Sequence, residues 1–455
     1  PMAAPNGLGS VALGTRALSE VGAIGQWERQ QVELFCVSNL IHFVLETTEE
    51  FVVLDFHFAS TGGGIRAVME MIHLLLQSPR WDESSLTRAK QAYRAHYSSL
   101  GKSLERATLN NALTAMVGQS CCFLDPVPEE LDAVTLKGAA EVLMAQLVSR
   151  NLEVNVVGDF DEGELEDTIL KLLGTLPERS VDWSEWVDHS IEFVRGSLQQ
   201  NNTKFLLADS DERACAYIIG PAPYRWQDIS ASGGEAASSS GSDGLGGFMD
   251  FLGDAPKERQ EHPLFMSVSL SLMAEIINSR LFTTVRDSLG LTYDVSFELQ
   301  LLDRMKKSWY SVSVTSTPAK IDDALDASLH VLRELTSRRV SQQELDRARR
   351  TLLARHETDL KDNSYLIGLL THLQCGTVPR KDLRCLRELT SVYSAATVAD
   401  IYEAYNRLGL SDQEIYTCTG VSGESLGEEE AGRQKQLEAA AAIAMASRNG
   451  NLFEA

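Results

Sequence analysis

The sequence lacks the short motifs that mark several common classes of enzyme. It contains neither His-Glu-x-x-His nor the inverted His-x-x-Glu-His, the arrangements that place two imidazoles and a carboxylate base on one helical face. A Gly-x-Ser-x-Gly elbow is absent, and so is a Gly-x-x-x-x-Gly-Lys-Ser/Thr phosphate loop. These absences argue against a serine hydrolase of the elbow type and a phosphate-loop nucleotide-binding protein. They also predict that this chain on its own holds no catalytic zinc.

Cysteines are few: the seven in the chain are scattered, and none belongs to a Cys-x-x-Cys pair. A thioredoxin-like dithiol and a zinc ribbon are therefore not supported, and a reducing compartment is the simplest interpretation. Cys36 and Cys418 lie in apolar, periodic segments and are predicted to be core residues. The adjacent pair Cys121-Cys122 has no positioned base, so we interpret both as buried or loop residues rather than as nucleophiles.

Long hydrophobic runs and an excess of basic charge are also missing. No apolar run approaches the roughly 18 to 20 residues needed to cross a bilayer, which predicts no membrane partner. The 64 acidic residues outnumber the 41 basic ones and give a net charge of −23, so a nucleic-acid partner is disfavoured. An acidic surface suits a basic partner or simple solubility, and the charge leaves both open. No targeting segment is recognisable at Pro1, so we expect a fragment or a processed piece.

Hydrophobic periodicity predicts alternating blocks of helix and strand. Helices are expected over residues 27–46, 64–77, 84–100, 103–117, 135–147, 162–173, 264–287, 365–373 and 397–408, with a further helix opened by a capping box at Ser341. Strands are expected over residues 51–59, 152–157, 292–301, 309–316 and 414–419. Gly158 and Gly420 are predicted to end two of these strands, and Thr317-Pro318 is predicted to cap a helix.

The order of these elements in the first half of the chain recurs in the second half. The matched positions are Thr61, Ile65, Leu86, Thr135, Glu141 and Gly158 with Thr317, Ile321, Leu345, Thr397, Glu403 and Gly420, respectively. They predict an α+β fold of two homologous α/β domains, each an antiparallel-rich sheet packed on one side by helices. We expect one domain at residues 1–176, a connector at 177–202, and a second domain at 203–424 with a disordered Gly/Ser-rich loop at 230–247. An acidic, Ala-rich tail is expected at 425–455.

One segment places two polar side chains around a helix-to-strand corner. A long helix is expected to end near Asp287, Gly290 provides the break, and Tyr293 begins a strand seven residues after Arg286. If both point into one cleft, the guanidinium and the phenol can bind a peptide carbonyl or the oxyanion formed during its hydrolysis. Chemistry alone leaves another interpretation open, in which an arginine at a helix end has a surface partner and a tyrosine lies on a sheet rim.

The nine histidines show no convincing set of metal ligands. His42 and Glu46 are four residues apart on an expected helix, which is a two-ligand pattern without a third partner. His356 and Glu357 are adjacent, so their side chains face different ways on a helix. We interpret the histidines as surface or packed residues and predict no metal site in this chain.

The run SRLFTTVRDSLGLTYDVSFEL at the corner resembles the C-terminal Arg/Tyr signature of the pitrilysin and insulin-degrading-enzyme superfamily of inverted-motif zinc metallopeptidases. Further segments are similar to the plant and algal members that process chloroplast transit peptides, among them LETTEEF, VVGDF, DERACAYIIGPAP, HPLF and HLQCGTVPRKDL. The resemblance covers about residues 14 to 423, which is most of the chain.

This resemblance implies four homologous pitrilysin-like domains in two halves that close around a chamber. The chain would be the third and fourth domains, with the opening strands of the third domain missing before Pro1. Zinc and its His-x-x-Glu-His motif would lie in the N-terminal half, which would be the partner of this chain, and no zinc ligand or other cofactor site is carried over here. Arg286 and Tyr293 match the pair that contacts the substrate backbone near the scissile bond.

The same resemblance implies what the complete enzyme would do. A zinc-activated water would attack a peptide carbonyl, with a glutamate of the other half as the general base. The substrates would be basic transit peptides, the location would be the chloroplast stroma, and this chain alone would be inactive. Two alternatives stay open: a non-catalytic scaffold like the core subunits of the respiratory complex, and an inactive partner of a separate zinc-bearing subunit, as in the mitochondrial presequence peptidase.

Overall fold

The computed structural model describes residues 9–60, 62–118, 123–178, 193–194, 202–226, 257–373 and 383–423. In the first half the elements are α1 (Ser10–Val21), α2 (Arg29–Ser38), β1 (His42–Thr47), β2 (Val52–His57), α3 (Gly64–Gln77), α4 (Glu83–Leu100), α5 (Leu104–Val117), α6 (Pro128–Ala133), α7 (Leu136–Gln146) and α8 (Glu162–Leu172). None of the helices in these ranges is long and apolar enough to cross a membrane.

The second half begins with two strands and then alternates helices and strands. Its elements are β3 (Asn202–Leu207), β4 (Arg213–Ala222), α9 (Lys257–Gln260), α10 (Phe265–Leu281), a π-helix (Phe282–Ser288), β5 (Asp294–Gln300), β6 (Ser308–Ser316), α11 (Ile321–Arg333), α12 (Gln342–Asp359), α13 (Asn363–Leu370), α14 (Leu383–Ala395), α15 (Val398–Tyr405) and β7 (Tyr416–Ser422).

A β-hairpin forms the sheet of the first half. Strands β1 and β2 are antiparallel, and Leu45 lies opposite Leu54. Phe43, Leu45, Leu54 and Phe56 contribute to one apolar cluster with residues of α1, α3 and α7. The alternation of side chains along the hairpin therefore gives it one face on the helices and one face toward solvent.

A five-stranded sheet organises the second half, in the order β3-β7-β4-β6-β5. Only the β3–β7 pair is parallel, and the other neighbours are antiparallel. Buried residues of β4, β5 and β6, such as Ile218, Phe297 and Val312, form the main core with α10, α11 and α15. The predicted α+β class with antiparallel-rich sheets is confirmed.

Helix α5 of the first half packs on the opposite face of the second sheet. Ala112 and Met116 of α5 share a buried cluster with Ile219 of β4 and Cys418 of β7. The helix approaches closely because β7 carries Gly420: a Cβ at this position would lie 2.0 Å from Thr108 Oγ1. The two halves are thus joined through a packed interface. The second sheet has its own helices on one face and α5 of the first half on the other, so the expected packing of helices on one side holds only within each half.

The two halves also meet at their hairpin turns. The Glu50 carboxylate accepts hydrogen bonds from the backbone N–H groups of Asp303, Arg304 and Met305, at 2.9, 2.6 and 2.6 Å. The ring of Phe51 stacks on His372 with centroids 3.9 Å apart. A carboxylate held by three successive amides fixes the turn of the first hairpin against that of the second.

The contacts of the two halves repeat. Helix α1 packs on α4, α7 and β1, and α10 packs on α12, α15 and β5. Helices α1 and α10 occupy corresponding positions in their halves, and so do the elements that each of them contacts. The repeat agrees with the predicted duplication, whereas the domain boundaries drawn from the sequence stay a prediction.

The expected helix over residues 27–46 is wrong in its second part. Helix α2 ends at Ser38, Leu40 adopts a left-handed backbone with φ 52°, and residues from His42 onward pair with β2 as a strand. His42 and Glu46 therefore lie on a strand rather than on a helix. The chain reverses at a leucine, a residue that fits the apolar periodicity, so the pattern did not reveal the end of the helix.

Four smaller corrections concern strand and helix ends. The segment 152–157 forms no strand, because it pairs with none of the described strands. Gly420 does not end a strand but lies within β7. The turn at Thr317 precedes α11, which begins only at Ile321, so Thr317-Pro318 does not cap it. The last six residues of the expected helix 264–287 belong to the π-helix, which extends to Ser288.

Other predictions for individual residues have clear outcomes. Cys36 and Cys418 are buried, as predicted. The capping box at Ser341 is present, with Ser341 N–H donating to Glu344 and Glu344 N–H donating to the Ser341 hydroxyl. Cys121, Cys122, Thr61, the 230–247 loop, the 425–455 tail and most of the 177–202 connector lie outside the described residues.

Candidate functional site

The corner that the sequence singled out lies between α10 and β5, and we call residues 282–293 the Arg/Tyr corner. The π-helix Phe282–Ser288 continues α10 directly. Gly290 follows with φ 60°, a conformation that glycine adopts without strain. The Leu291 N–H donates to Val285 O at 3.1 Å and folds the chain back toward the sheet. π-helical segments are rare and are frequently found at functional sites.

Arg286 lies in the last turn of the π-helix and is exposed. Its guanidinium carbon is 4.8 Å from the centre of the Phe282 ring, four residues earlier. Within the described ranges, the guanidinium makes no hydrogen bond and no ion pair. A cation held over an aromatic face in this way keeps its N–H donors available for a ligand.

Tyr293 stands at the entry to β5 and is 72% exposed. Its backbone is fixed, because the Tyr293 N–H donates to Thr315 O at 3.1 Å. The neighbouring Thr292 is buried, and its hydroxyl donates to Thr315 O at 2.6 Å. The phenolic hydroxyl has no partner among the residues that the structure describes. The site therefore combines a rigid backbone with a side chain that is open to solvent.

Asn278 connects the two elements that carry Arg286 and Tyr293. It lies on α10, and its carboxamide donates to Phe297 O at 2.9 Å and accepts from Phe297 N–H at 2.7 Å. The side chain thereby pairs with an edge-strand residue as a neighbouring strand would. This pair of hydrogen bonds fixes β5 against α10 close to the Arg/Tyr corner.

A buried ion pair supports the helix that leads to the corner. Arg280 is 4% exposed, and its Nε donates to Glu344 at 2.8 Å while Nη1 donates to Arg338 O at 2.8 Å. Burial acts to raise the pKa of Glu344, but hydrogen bonds from Arg280 and Ser341 outweigh it and lower this pKa to about 2. Glu344 therefore stays ionised and binds the end of α10 to the start of α12.

The sheet beside the corner is acidic and rich in hydroxyl groups. On β5 and β6, Asp294 lies opposite Thr315, and Glu298 lies opposite Ser311. Both carboxylates are on exposed residues. Strand β5 is the edge strand of the sheet. A basic, extended peptide would find carboxylates and hydrogen-bonding groups along this surface.

The structure places the two predicted site residues on one short corner. Arg286 and Tyr293 are both exposed, and neither has a polar side-chain partner in the described part of the chain. Tyr293 lies at a sheet rim and Arg286 has a surface partner in the Phe282 ring, as the second interpretation supposed, although no polar partner of Arg286 is found in the described ranges. Their joint action on a substrate stays a prediction. Asn278 had no signal in the sequence beyond its place directly before the SRLF run.

The described residues do not form a zinc site. No group of three or more His, Cys, Asp or Glu side chains converges as metal ligands in the described ranges. His42 lies opposite His57 on the exposed face of the hairpin, with ring centres 6.5 Å apart. His356 instead pairs with the Tyr365 hydroxyl at 2.7 Å.

Comparison with known proteins adds family information to this geometry. The family described as peptidase M16 inactive domain matches residues 144–352. The chain is 46% identical over 423 residues to the stromal processing peptidase of Pisum sativum, with 91% of this chain and 34% of that protein covered. It is 45% identical to the Arabidopsis thaliana counterpart, with 92% and 34% covered. The chain thus spans about a third of the length of these curated relatives.

Solved structures show a similar fold at low identity. A peptidase M16 inactive domain from Pseudomonas fluorescens has a TM-score of 0.68 at 14% identity, with 92% of this chain and 89% of that chain covered. The periplasmic protease PqqL from Escherichia coli has a TM-score of 0.67 at 13% identity, with 90% and 40% covered. A chain of complex III2 from Candida albicans has a TM-score of 0.61 at 14% identity, with 90% and 86% covered.

Proposed function

This chain is a member of the M16, pitrilysin-type peptidase superfamily, and we propose that it is the zinc-less, C-terminal half of a metalloendopeptidase that removes transit peptides. In this role it forms one wall of the substrate chamber and contributes hydrogen-bond donors to the bound peptide. By itself it has no activity.

The Arg/Tyr corner is the observation that carries the proposal. It presents a guanidinium and a phenolic hydroxyl on exposed side chains, while the backbone beneath them is fixed by the Tyr293–Thr315 and Leu291–Val285 hydrogen bonds. Donors on a rigid frame are what a developing oxyanion or a substrate carbonyl requires, because the frame does not have to reorganise during the reaction. Arg286 and Tyr293 are therefore the residues to which we assign substrate contact.

The metal belongs to the other half in this proposal. Zinc held there would lower the pKa of its bound water and polarise the peptide carbonyl. This half would add the Arg286 and Tyr293 donors, bind the flanking peptide and exclude water from the chamber. The relatives are about three times as long as this chain, which leaves room for a zinc-bearing half in the same polypeptide.

The substrate class follows from the surface and from the relatives. A net charge of −23 and the exposed carboxylates of Asp294 and Glu298 favour a basic peptide. The curated relatives are described as chloroplastic stromal processing peptidases. We therefore propose transit peptides as the substrates and the chloroplast stroma as the location.

A non-catalytic scaffold is the second candidate function. It is supported by the similarity of the fold to that of a chain in complex III2. A scaffold has no need for exposed donors at the Arg/Tyr corner, so this site favours the peptidase. A separate zinc-bearing subunit, rather than a half on the same polypeptide, would keep the proposed role of the corner unchanged.

The test is a reconstitution of cleavage. A transit peptide is incubated with this chain, with a zinc-bearing N-terminal half, and with both together, and the products are resolved by mass spectrometry. We expect the two halves together to cleave the peptide, and each half alone to cleave it far more slowly or not at all. Full activity of the N-terminal half alone, or activity of this chain alone, would overturn the proposal.

A further inference from the structure

A second corner of the molecule, between α2 and β1, exposes large apolar side chains. Leu34 and Val37 of α2 are 67% and 73% exposed, and Leu40 just beyond the helix is 72% exposed. Residues three apart on a helix are neighbours on its surface. We call Leu34, Val37 and Leu40 the apolar corner.

The backbone at Leu40 makes this exposure informative. The Ile41 N–H donates to Cys36 O at 2.8 Å and the Leu40 N–H donates to Val37 O at 3.3 Å, which together form a Schellman motif. Its left-handed position usually holds glycine, and a side chain there is strained. Leu40 nevertheless occupies it, with φ 52°. Neither backbone preference nor burial among the described residues accounts for a leucine here, which points to a contact outside them.

The chain around the apolar corner is acidic. Residues 30–65 contain no lysine or arginine. Of their acidic residues, Glu33 pairs with Arg29 and Glu50 accepts from the amides of residues 303–305, whereas Glu46, Glu49 and Asp55 have no lysine or arginine partner among the described residues. On the solvent face of the hairpin, Val44 is 39% exposed and lies opposite Asp55. Glu46 lies two residues further along the same face. A molecule that covers the apolar corner therefore meets carboxylates at its border, which favours a basic partner.

The internal repeat relates this surface to the Arg/Tyr corner. Helix α2 connects α1 to β1, and the π-helix connects α10 to β5. Because α1 and α10 make corresponding contacts in the two halves, the two corners occupy corresponding places. The first presents apolar side chains, and the second presents hydrogen-bond donors.

We propose that the apolar corner binds an extended peptide that carries both apolar and basic side chains. The choice of ligand rests on the proposed function, because the peptide is the substrate whose backbone would reach Arg286 and Tyr293. The apolar corner takes leucine-like side chains of this peptide, and Glu46 and Asp55 attract its basic ones.

The test measures peptide binding to this chain by fluorescence anisotropy. The probe is a labelled peptide of arginine, serine and leucine, and its control has glutamate in place of every arginine. We expect the chain to bind the arginine peptide and not the glutamate peptide. Leu40→Gly should weaken binding about fivefold, which corresponds to one partly buried leucine contact. The same variant relieves the left-handed strain, so its unfolding midpoint should stay the same or rise.

Two further variants separate the apolar from the charged contribution. Leu34→Ser should weaken binding to a similar extent, whereas Leu170→Ser, which changes a 61% exposed leucine on α8, should leave it unchanged. The double variant Glu46→Gln, Asp55→Asn should weaken binding at low salt and reduce its salt dependence.

Several outcomes would overturn the proposal. These are equal affinity for the two peptides, unchanged affinity of Leu40→Gly and Leu34→Ser, or a dimer in sedimentation velocity that these variants dissociate. The last result would assign the apolar corner to a second copy of the chain. If Arg286→Ala and Tyr293→Phe leave cleavage unchanged while Leu40→Gly weakens binding, the assigned contact residues are wrong and the apolar corner still stands. If the reverse holds, the apolar corner is wrong and the assigned residues stand.

Discussion

The carboxamide of Asn278 holds both backbone polar groups of Phe297, donating to its carbonyl at 2.9 Å and accepting from its N–H at 2.7 Å. These residues are 19 positions apart, one on α10 and the other on the edge strand β5. Arg286 and Tyr293 lie in the segment between them. One side chain thus sets the separation of the two elements on which the Arg/Tyr corner is built.

Asn278→Ala should destabilise the fold and disturb the Arg/Tyr corner. Removing the carboxamide leaves two backbone groups of Phe297 without their partner, which costs about 1 to 3 kcal/mol when such groups are buried. Urea unfolding followed by circular dichroism measures this loss. In the complete enzyme, kcat should fall more than the loss of folded protein explains. Asn278→Asp keeps the acceptor but places a carboxylate beside the Phe297 carbonyl, so wild-type stability of this variant at neutral pH would contradict the assigned role.

Arg286→Ala and Tyr293→Phe should each slow cleavage by the complete enzyme. Loss of one donor to an oxyanion typically costs about 2.7 to 4 kcal/mol, or roughly a hundred- to a thousand-fold in kcat. Both residues are exposed, so the unfolding free energy should change by less than about 0.5 kcal/mol. Arg350→Ala, which removes an exposed arginine on α12, is the matched control and should keep wild-type kcat. Wild-type turnover by both site variants would remove these residues from the mechanism.

The Arg280–Glu344 pair should make stability depend on acid. The pKa of Glu344 is lowered from 4.5 to about 2 in the folded protein, so the stabilisation is fully present above pH 4.5 and is lost as the pH falls toward 2. Glu344→Gln should therefore be less stable than the wild type near neutral pH, and the difference should shrink below pH 4.5. Denaturant midpoints measured across this range check the prediction. A difference that does not change with pH would show that the ionised carboxylate is not what stabilises this contact.

Gly420→Ala should loosen α5 from the second sheet. The added Cβ would lie 2.0 Å from Thr108 Oγ1 and 3.1 Å from Leu104 Cδ1, and such overpacking costs about 1 to 3 kcal/mol. Thr108→Ala removes the atom in the closest contact, so the double variant should recover part of the loss. A double-mutant cycle measures this coupling. Strict additivity would mean that the two positions do not contact each other as described.

The amphipathic helices were predictable because their apolar residues are local in sequence. In α3, Ile65, Val68 and Leu75 recur at helical spacing and are buried, and the helix has the expected bounds of Gly64–Gln77. The capping box at Ser341 was equally readable, because its partner Glu344 is three residues away. The strand β4 was not singled out, since it is buried on both faces and lacks a clear alternation. The strand β3 and the helix α1 were not singled out either.

The boundary between α2 and β1 shows why periodicity was not enough. Val32, Cys36, Leu40 and Phe43 recur at helical spacing, so a single helix seemed consistent with the sequence. The reversal depends on the left-handed backbone of Leu40, a residue type that does not normally signal one. The predicted strand at 152–157 was wrong for another reason. A strand needs a neighbouring strand to pair with, and the sequence of the segment does not show which strand lies nearby.

The sequence by itself determined the α+β class, the duplicated order of elements, the Arg/Tyr corner and the absence of a zinc motif, because each of these is written in residues close together along the chain. The tertiary structure decided that Asn278 holds Phe297, that Glu50 meets the amides of residues 303–305, and that α5 covers the second sheet. These contacts join residues from 19 to more than 250 positions apart. Hydrogen bonding and packing act over a few ångströms in space, and separation along the chain does not reveal which groups come that close.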